Sequence, residues 1–219
     1  MSSEETGTRA RIVVAGILFG GLTACTHGAA LRPDGLHPTA AALEWCDSSP
    51  LSVNCSDFAD FVQLGAVVQA IVRGDIDNDG DQDVLVVVTR EDDRTQVRPR
   101  GLLLLRRDEN LCLSEVLSNA NAIPCTGCGG MNGDPLQEIR IDPGSITLRL
   151  EGGSRELWSS QYRFEYLHDR NLWLLTSVVH NGLDRARGIS AEKRLTPTDF
   201  GEVSMTTFST EDYPADALP

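Results

Sequence analysis

An acidic segment between two apolar runs constrains the fold more than any other feature of this sequence. From Asp75 to Asp83 the chain reads Asp-Ile-Asp-Asn-Asp-Gly-Asp-Gln-Asp, so a carboxylate recurs at every second position and Gly80 stands sixth. A loop that coils around one ion can direct alternate side chains inward, and calcium prefers six to eight oxygen ligands. Gly80 permits the sharp turn that such a loop needs. The segment therefore predicts a calcium-binding loop that joins two extended segments.

The expected calcium ligands are the side chains of Asp75, Asp77, Asp79 and Asp83 and the backbone carbonyl of Asp81. An EF-hand is excluded, because its twelfth loop position carries glutamate and Val86 stands there in this chain. A solvated acidic turn without an ion is the alternative, and magnesium is less suited to so many protein ligands. The expected role of the ion is structural, since no general base is evident beside the loop.

Short apolar segments separated by turn signals fill the chain on both sides of the loop. Val84–Thr89 is strongly β-branched, whereas Gln137–Asp142 and Ser145–Leu150 alternate apolar with polar residues around Pro143-Gly144. Such alternation is typical of a β-hairpin with one buried face. The other expected strands are Leu64–Val72, Gly101–Leu105, Leu111–Leu117, Trp158–Leu167, Leu172–Val179 and Glu202–Phe208. The pattern predicts an antiparallel all-β domain, either a sandwich or a propeller-like array.

The N-terminus has the pattern of an export signal. Arg9 and Arg11 precede an uncharged run over residues 12–24, which is shorter than the roughly 20 apolar residues of a membrane span. The run ends in Leu-Thr-Ala-Cys, which resembles the lipobox of bacterial lipoproteins. That resemblance implies cleavage before Cys25 and lipidation of its thiol and amine, and several acyl chains anchor a protein stably. An ordinary secretory peptide is the alternative.

The expected localisation and domain organisation follow from this pattern. Thr26 follows the cysteine in place of aspartate, which in the resembled lipoproteins implies sorting to the outer membrane, facing the periplasm. Residues 1–24 are expected to be the signal peptide, and 25–45 the lipidated cysteine and a flexible tether. Residues 46–210 are expected to form the calcium-binding domain and 211–219 a disordered tail.

The remaining cysteines would meet an oxidising compartment after export. Cys46 and Cys55 close a short loop and are disulfide candidates. Cys125 and Cys128 form a C-x-x-C motif in a glycine-rich segment, for which a structural disulfide, redox chemistry and metal binding stay open. The disulfide is preferred, because thioredoxin-like motifs begin a helix and zinc needs a second pair of ligands.

The charge balance limits the classes of partner. The formal net charge is -13. An acidic surface repels phosphate backbones and anionic head groups, so nucleic-acid binding is excluded and membrane contact is expected through the lipid anchor alone. Such a surface suits a basic protein or a divalent cation, although it also aids solubility.

No residue pattern indicates catalysis. Of the four histidines, His27 and His37 fall in the expected tether, and His168 and His180 fall at expected turns. No serine stands in a nucleophile-elbow context G-x-S-x-G. We therefore expect a binding protein and not an enzyme.

Several motifs together resemble FG-GAP/VCBS-type exported bacterial proteins. The acidic loop is similar to the D-x-D-x-D-G-x-x-D loop of integrin-α-like repeats, which links two strands of a propeller blade. Pro99–Leu105, Cys125–Pro135 and Thr196–Gly201 follow in the same order, and the likeness covers residues 64–208. Only one metal loop is evident, so a regular propeller of equal blades does not follow.

The resemblance also implies a function. Some lipoproteins of this type look like immunity partners of antibacterial peptidoglycan hydrolases delivered by a type IV secretion system. We therefore expect a periplasmic inhibitor of a lysozyme-like hydrolase, whose basic surface would be steered toward this acidic chain. The candidate contact residues are Gly129, Met131, Asn132 and Asp134. The alternative interpretation of this segment is a disulfide-braced turn without function. The alternative is a calcium-stabilised structural or adhesion module of the cell envelope.

Overall fold

The computed structural model describes residues 57–90 and 98–218. The expected signal peptide and tether, the lipidation site Cys25, and the disulfide candidates Cys46 and Cys55 lie outside these ranges. Within them, no helix is both long enough and apolar enough to cross a membrane.

Strands dominate the described residues and follow one another along the chain. They are β1 (Ala66–Gly74), β2 (Asp83–Arg90), β3 (Arg100–Arg107), β4 (Leu113–Asn119), β5 (Leu136–Asp142), β6 (Ser145–Gly153), β7 (Glu156–Leu167), β8 (Leu172–Asp184) and β9 (Ile189–Leu195). The helical elements are short: a 3-10 turn at Phe58–Phe61, the helix α1 at Pro197–Phe200, and a 3-10 turn at Thr210–Asp212.

The strands form two antiparallel sheets in which sequence neighbours are also spatial neighbours. The first sheet has the order β1-β2-β3-β4 and the second has the order β5-β6-β7-β8-β9. Neither sheet closes on itself. The all-β prediction is confirmed, and the arrangement fits the sandwich alternative, whereas a propeller is not shown by the described residues. The predicted hairpin around Pro143-Gly144 is the β5–β6 pair, with Asp142 opposite Ser145.

The main core lies between the two sheets. Leu85, Leu102 and Leu104 of the first sheet share one buried cluster with Leu148 and Phe164 of the second. A smaller cluster covers the other face of β2, where Val84 and Val86 pack with the 3-10 turn at Phe58–Phe61. Since β2 is buried on both faces, it carries a continuous apolar run in place of an alternating one.

Two expectations about local structure were wrong. His180-Asn181-Gly182, expected as a turn, lies inside β8, because both neighbouring strands pair with it there: His180 stands opposite Ser160 of β7 and Lys193 of β9. Glu202–Phe208, expected as a strand, forms only one isolated bridge, between Ser204 and Leu174.

The C-terminal segment contributes side chains to the core. Met205, Phe208 and Tyr213 are buried in the main cluster. The side chain of Leu218 lies against Gly182 of β8, at a position where an added Cβ would collide with it. The expectation of a disordered tail from residue 211 therefore does not describe residues 211–218.

Candidate metal site

The acidic loop connects the end of β1 to the start of β2, as the sequence predicts. Gly74 and Asp83 are paired residues at the base of this connection. Two loop residues have positive φ, Asn78 at 62° and Gly80 at 96°. The left-handed backbone at Gly80 is the sharp turn, and its positive φ alone favours glycine there, since an added Cβ would meet no neighbouring atom.

Three of the five expected ligand residues come together. Carboxylate oxygens of Asp75, Asp77 and Asp83 all lie within 4.8 Å of one another, a spacing at which the three could hold a metal ion. Asp79 and Asp81 do not belong to this group. Asp77 is 4% exposed, and its Oδ1 is buried without a hydrogen-bond partner. An orphaned carboxylate oxygen beside two further carboxylates fits the donor set of a hard cation.

Backbone amides hold the carboxylates in place. The Asp83 side chain accepts hydrogen bonds from the amides of Ile76, at 3.0 Å, and Arg107, at 2.7 Å. The Asp75 side chain accepts from the amides of Asp79 and Gly80, each at 3.1 Å. Each carboxylate oxygen retains a lone pair after accepting one such bond, so the orientation of the carboxylates is set without exhausting their capacity to bind a cation.

Burial and mutual repulsion shift the titration of the cluster. Burial raises the pKa of Asp83 to about 6. The hydrogen bonds from the Arg107 and Ile76 amides oppose this increase, because they favour the charged form. Burial also raises the pKa of Asp77, with repulsion from Asp79 adding to it and the Arg106 guanidinium opposing it. Both causes penalise negative charge in the loop, and a bound cation would compensate that penalty.

The second sheet positions the loop from outside. The Gly144 amide, in the β5–β6 turn, donates to the Asp75 carbonyl at 3.0 Å. The Trp173 indole of β8 donates to the Ile76 carbonyl at 2.8 Å. The first sheet adds Arg106 of β3, which donates to Asp77 Oδ2 at 3.4 Å and to Asn171 Oδ1 at 2.9 Å. These residues were not predicted, because they are distant in sequence and only the strand register brings them to the loop.

Replacing Trp173 by phenylalanine tests the support from β8. The variant keeps most of the buried ring but leaves the buried Ile76 carbonyl without its 2.8 Å donor. We expect the free energy of unfolding to fall by about 1–3 kcal/mol, since an unsatisfied buried acceptor carries its desolvation penalty. Urea denaturation measures the change. The matched control is Trp158→Phe, the same substitution at a partly buried tryptophan that packs against the same core. An equal loss in both variants would contradict the prediction.

The cysteine-glycine segment lies at the other end of β3. Cys125 and Cys128 form a disulfide in this segment, with their Cα atoms 5.2 Å apart, and Cys112 is also disulfide-bonded. Asp134 of this segment forms an ion pair with Arg100, the first residue of β3. Arg106, which lies at the acidic loop, is near the last residue of the same strand. At about 3.3 Å a residue the two regions are separated by about 20 Å, so they are distinct sites.

The segment forms a hydrogen-bonded turn with one exposed apolar side chain. The Gly129 amide donates to the Gly133 carbonyl at 2.8 Å, and the Met131 amide donates to the Gly153 carbonyl at 3.2 Å. Met131 is nevertheless 86% exposed, and Asn132 is exposed beside it. Of the four candidate contact residues, Asp134 has an additional structural role through its ion pair with Arg100.

Ser160 and His180 form a buried pair that no local sequence pattern indicates. Ser160 Oγ lies 2.8 Å from His180 Nδ1, and both residues are buried on neighbouring strands. His180 Nε2 has no hydrogen-bond partner, so no carboxylate orients the imidazole as in a Ser-His-Asp triad. Only the cross-strand register Ser160–His180 could have indicated the pair.

The pair predicts a pH dependence of stability. Burial lowers the pKa of His180, whereas an unfolded histidine titrates near 6.5. As the pH falls, the unfolded state therefore binds a proton before the folded state does. The stability contributed by neutral, buried His180 is complete above about pH 6.5 and is lost as the pH falls below that value. Urea denaturation between about pH 8 and 5.5 should show a steeper decline for the native protein than for His180→Leu. Asp83 titrates in the same range, and its effect on stability has the opposite sign. The test is therefore the difference in pH dependence between the native protein and His180→Leu. Parallel curves for the two would contradict the prediction.

Comparisons with known proteins do not add to this geometry. No protein-family model, curated protein or solved structure matches the chain.

Proposed function

We propose that this protein is a calcium-binding, non-catalytic binding module of the bacterial envelope. The observation that carries the proposal is the cluster of Asp75, Asp77 and Asp83, in which one buried Asp77 oxygen has no partner. Calcium is preferred over magnesium because the loop offers many protein oxygens, whereas magnesium usually keeps several waters. On binding, the Asp79 side chain and the Asp81 carbonyl complete the coordination that the alternating sequence predicts.

The role proposed for calcium is structural. The loop joins two strands of the first sheet, and its carbonyls at Asp75 and Ile76 are bonded to the second sheet. An ion in this position ties together the two layers at one end of the sandwich. When bound, it would neutralise the charge that burial and repulsion now penalise at Asp77 and Asp83.

We further propose that the module acts by binding a basic protein, namely a secreted lysozyme-like peptidoglycan hydrolase that it inhibits. The net charge of -13 would steer such a partner toward it. Met131 supplies an exposed apolar anchor on a turn braced by the Cys125–Cys128 disulfide, and a preorganised anchor loses little entropy on binding. The Leu-Thr-Ala-Cys motif ending at Cys25 supports display of this module by a lipid anchor in the periplasm-facing outer membrane.

The inhibitory function is tested with a purified basic lysozyme-like hydrolase encoded beside this gene. We expect the chain from residue 26 onward to slow the loss of turbidity of a peptidoglycan suspension in a dose-dependent way. Met131→Asp should weaken inhibition by about tenfold or more, because truncating or charging an interface anchor costs at least about 1.4 kcal/mol.

The matched control for this experiment is Leu64→Asp. Leu64 is also fully exposed but lies before β1, outside the braced turn. Inhibition that is unaffected by Met131→Asp would reject the proposed contact surface. No inhibition of the hydrolase, together with capture of another envelope protein, would favour the structural or adhesion module.

A further inference from the structure

A cavity opens between the sheets at the end of the sandwich opposite the acidic loop. Its volume is about 710 Å³. One wall is the inner face of β7, which presents Trp158, Ser160 and Tyr162, and the other includes Arg100 at the start of β3. Residues 209–211 and 213–216 also line it. A cavity of this size suits a small organic molecule.

Arg100 is an unusual residue to find in this position. Its side chain is 1% exposed, and it shares the inward face of β3 with Leu102 and Leu104, since alternate strand residues share a face. One of its guanidinium nitrogens, Nη2, is paired with Asp134. The other two, Nε and Nη1, are buried without a hydrogen-bond partner.

Buried donors on a charged group are costly to leave unsatisfied. A hydrogen bond to a charged group contributes about 1.5–3 kcal/mol, and a buried polar group without a partner carries its full desolvation penalty. Water could supply the missing acceptor, but a guanidinium is best matched by the planar oxygens of a carboxylate. Nε and Nη1 have almost no accessible surface in this structure, so a carboxylate in the neighbouring cavity would reach them once the Arg100–Asp134 pair opens.

The remaining walls define the rest of the ligand. Trp158, Tyr162 and Tyr213 present aromatic surface, and Pro99 and Pro124 add apolar surface. Two further carboxylates, Glu211 and Asp216, also line the cavity and disfavour a ligand with more than one negative charge.

We propose that this cavity binds a small monocarboxylate with an aromatic or apolar body, its carboxylate group on Arg100 and its body against Trp158. Asp134, whose side chain is half-exposed, is the internal competitor for the same guanidinium. The site lies away from the acidic loop and borders the turn that holds the Cys125–Cys128 disulfide. Its test does not depend on the proposed inhibitory function.

The probe is phenylacetate, compared with its amide phenylacetamide and its amine analogue phenethylamine. Titration into the ¹⁵N-labelled full-length chain, followed at the Trp158 indole N–H, should give a saturable shift with phenylacetate. A ligand of this size is expected to bind with a dissociation constant on the order of 1 mM. Phenethylamine should not bind, and the amide should bind several-fold more weakly than the carboxylate. Equal binding of amide and carboxylate, or no saturable shift with phenylacetate, would overturn the proposal.

Two variants and a control assign the binding to Arg100. Arg100→Gln should weaken phenylacetate binding by at least about tenfold, as expected for the loss of a charge-assisted hydrogen bond. Asp134→Asn should strengthen it several-fold, because the competing carboxylate is gone, and this variant keeps the proposal testable if Arg100→Gln does not fold. Arg149→Gln, at an exposed arginine of β6, should bind like the native protein. Unchanged phenylacetate affinity in both Arg100→Gln and Asp134→Asn would mean that Arg100 does not hold the carboxylate group, and it would overturn the proposal.

Discussion

We expect calcium to raise the midpoint of thermal unfolding, and we expect Asp77→Asn to remove the increase. Calcium at about 100 times its dissociation constant adds about 2.7 kcal/mol to the free energy of unfolding, provided that it binds the native state alone. The loss in the variant follows from the position of Asp77, whose unpartnered oxygen is buried within 4.8 Å of Asp75 and Asp83. Differential scanning fluorimetry with calcium and with a chelator measures both effects.

The stability of Asp77→Asn without metal, compared with that of the metal-free native protein, distinguishes loss of calcium binding from loss of folding. The pKa of Asp77 is raised in the folded protein, mainly by burial, so its ionised form is penalised on folding at neutral pH. Asparagine carries no such penalty, and the metal-free variant should therefore be at least as stable as the metal-free native protein. A variant that is unfolded without calcium would contradict this account of the loop.

Two further variants define the ligand set. Asp79→Asn should reduce the calcium shift less than Asp77→Asn does, because Asp79 stands outside the carboxylate cluster before binding. Asp169→Asn is the control, since Asp169 is exposed in the turn between β7 and β8. It should leave the shift unchanged. The absence of any shift in the native protein would mean that the acidic loop is a solvated turn, and the calcium-dependent part of the proposed function would fail with it.

Phe208→Ala has the largest expected effect on stability. Phe208 is 1% exposed, and its ring centroid lies 5.1 Å from that of Tyr162 and 5.0 Å from that of Phe164, both in edge-on contact. It also stacks on Tyr213, with centroids 5.5 Å apart. Truncating a buried phenylalanine costs about 3–5 kcal/mol, through lost transfer free energy and the cavity that remains. That loss is a large fraction of the 5–15 kcal/mol by which a domain is typically stable.

Urea denaturation measures this loss, with Met131→Ala as the matched control. Met131 is exposed and away from the core, so its truncation should change the free energy of unfolding by less than about 0.5 kcal/mol. Similar small effects in both variants would mean that residues 205–213 do not pack on the second sheet. The contrast is informative because this segment was expected to hold a strand and then a disordered tail, whereas its side chains belong to the core.

Features encoded by neighbouring residues could be predicted. The β5–β6 hairpin follows from a Pro-Gly turn between alternating segments, and the acidic loop follows from the spacing of its carboxylates. His180-Asn181-Gly182 shows the limit of such reasoning. These residues have the local chemistry of a turn, yet pairing with β7 and β9 on both sides keeps them extended, because tertiary context overrides local propensity.

The sequence by itself determined the strand-rich character, the acidic loop with Gly80 at its turn, and the acidic balance, since these depend on composition and on residues a few positions apart. Only the tertiary structure decided that Asp75, Asp77 and Asp83 converge while Asp79 does not. It also decided that Arg106 and Trp173 support the loop, and that Arg100 faces a cavity at the opposite end. The physical reason is that strand register and the packing of two sheets bring together residues up to about a hundred positions apart, which no local pattern encodes.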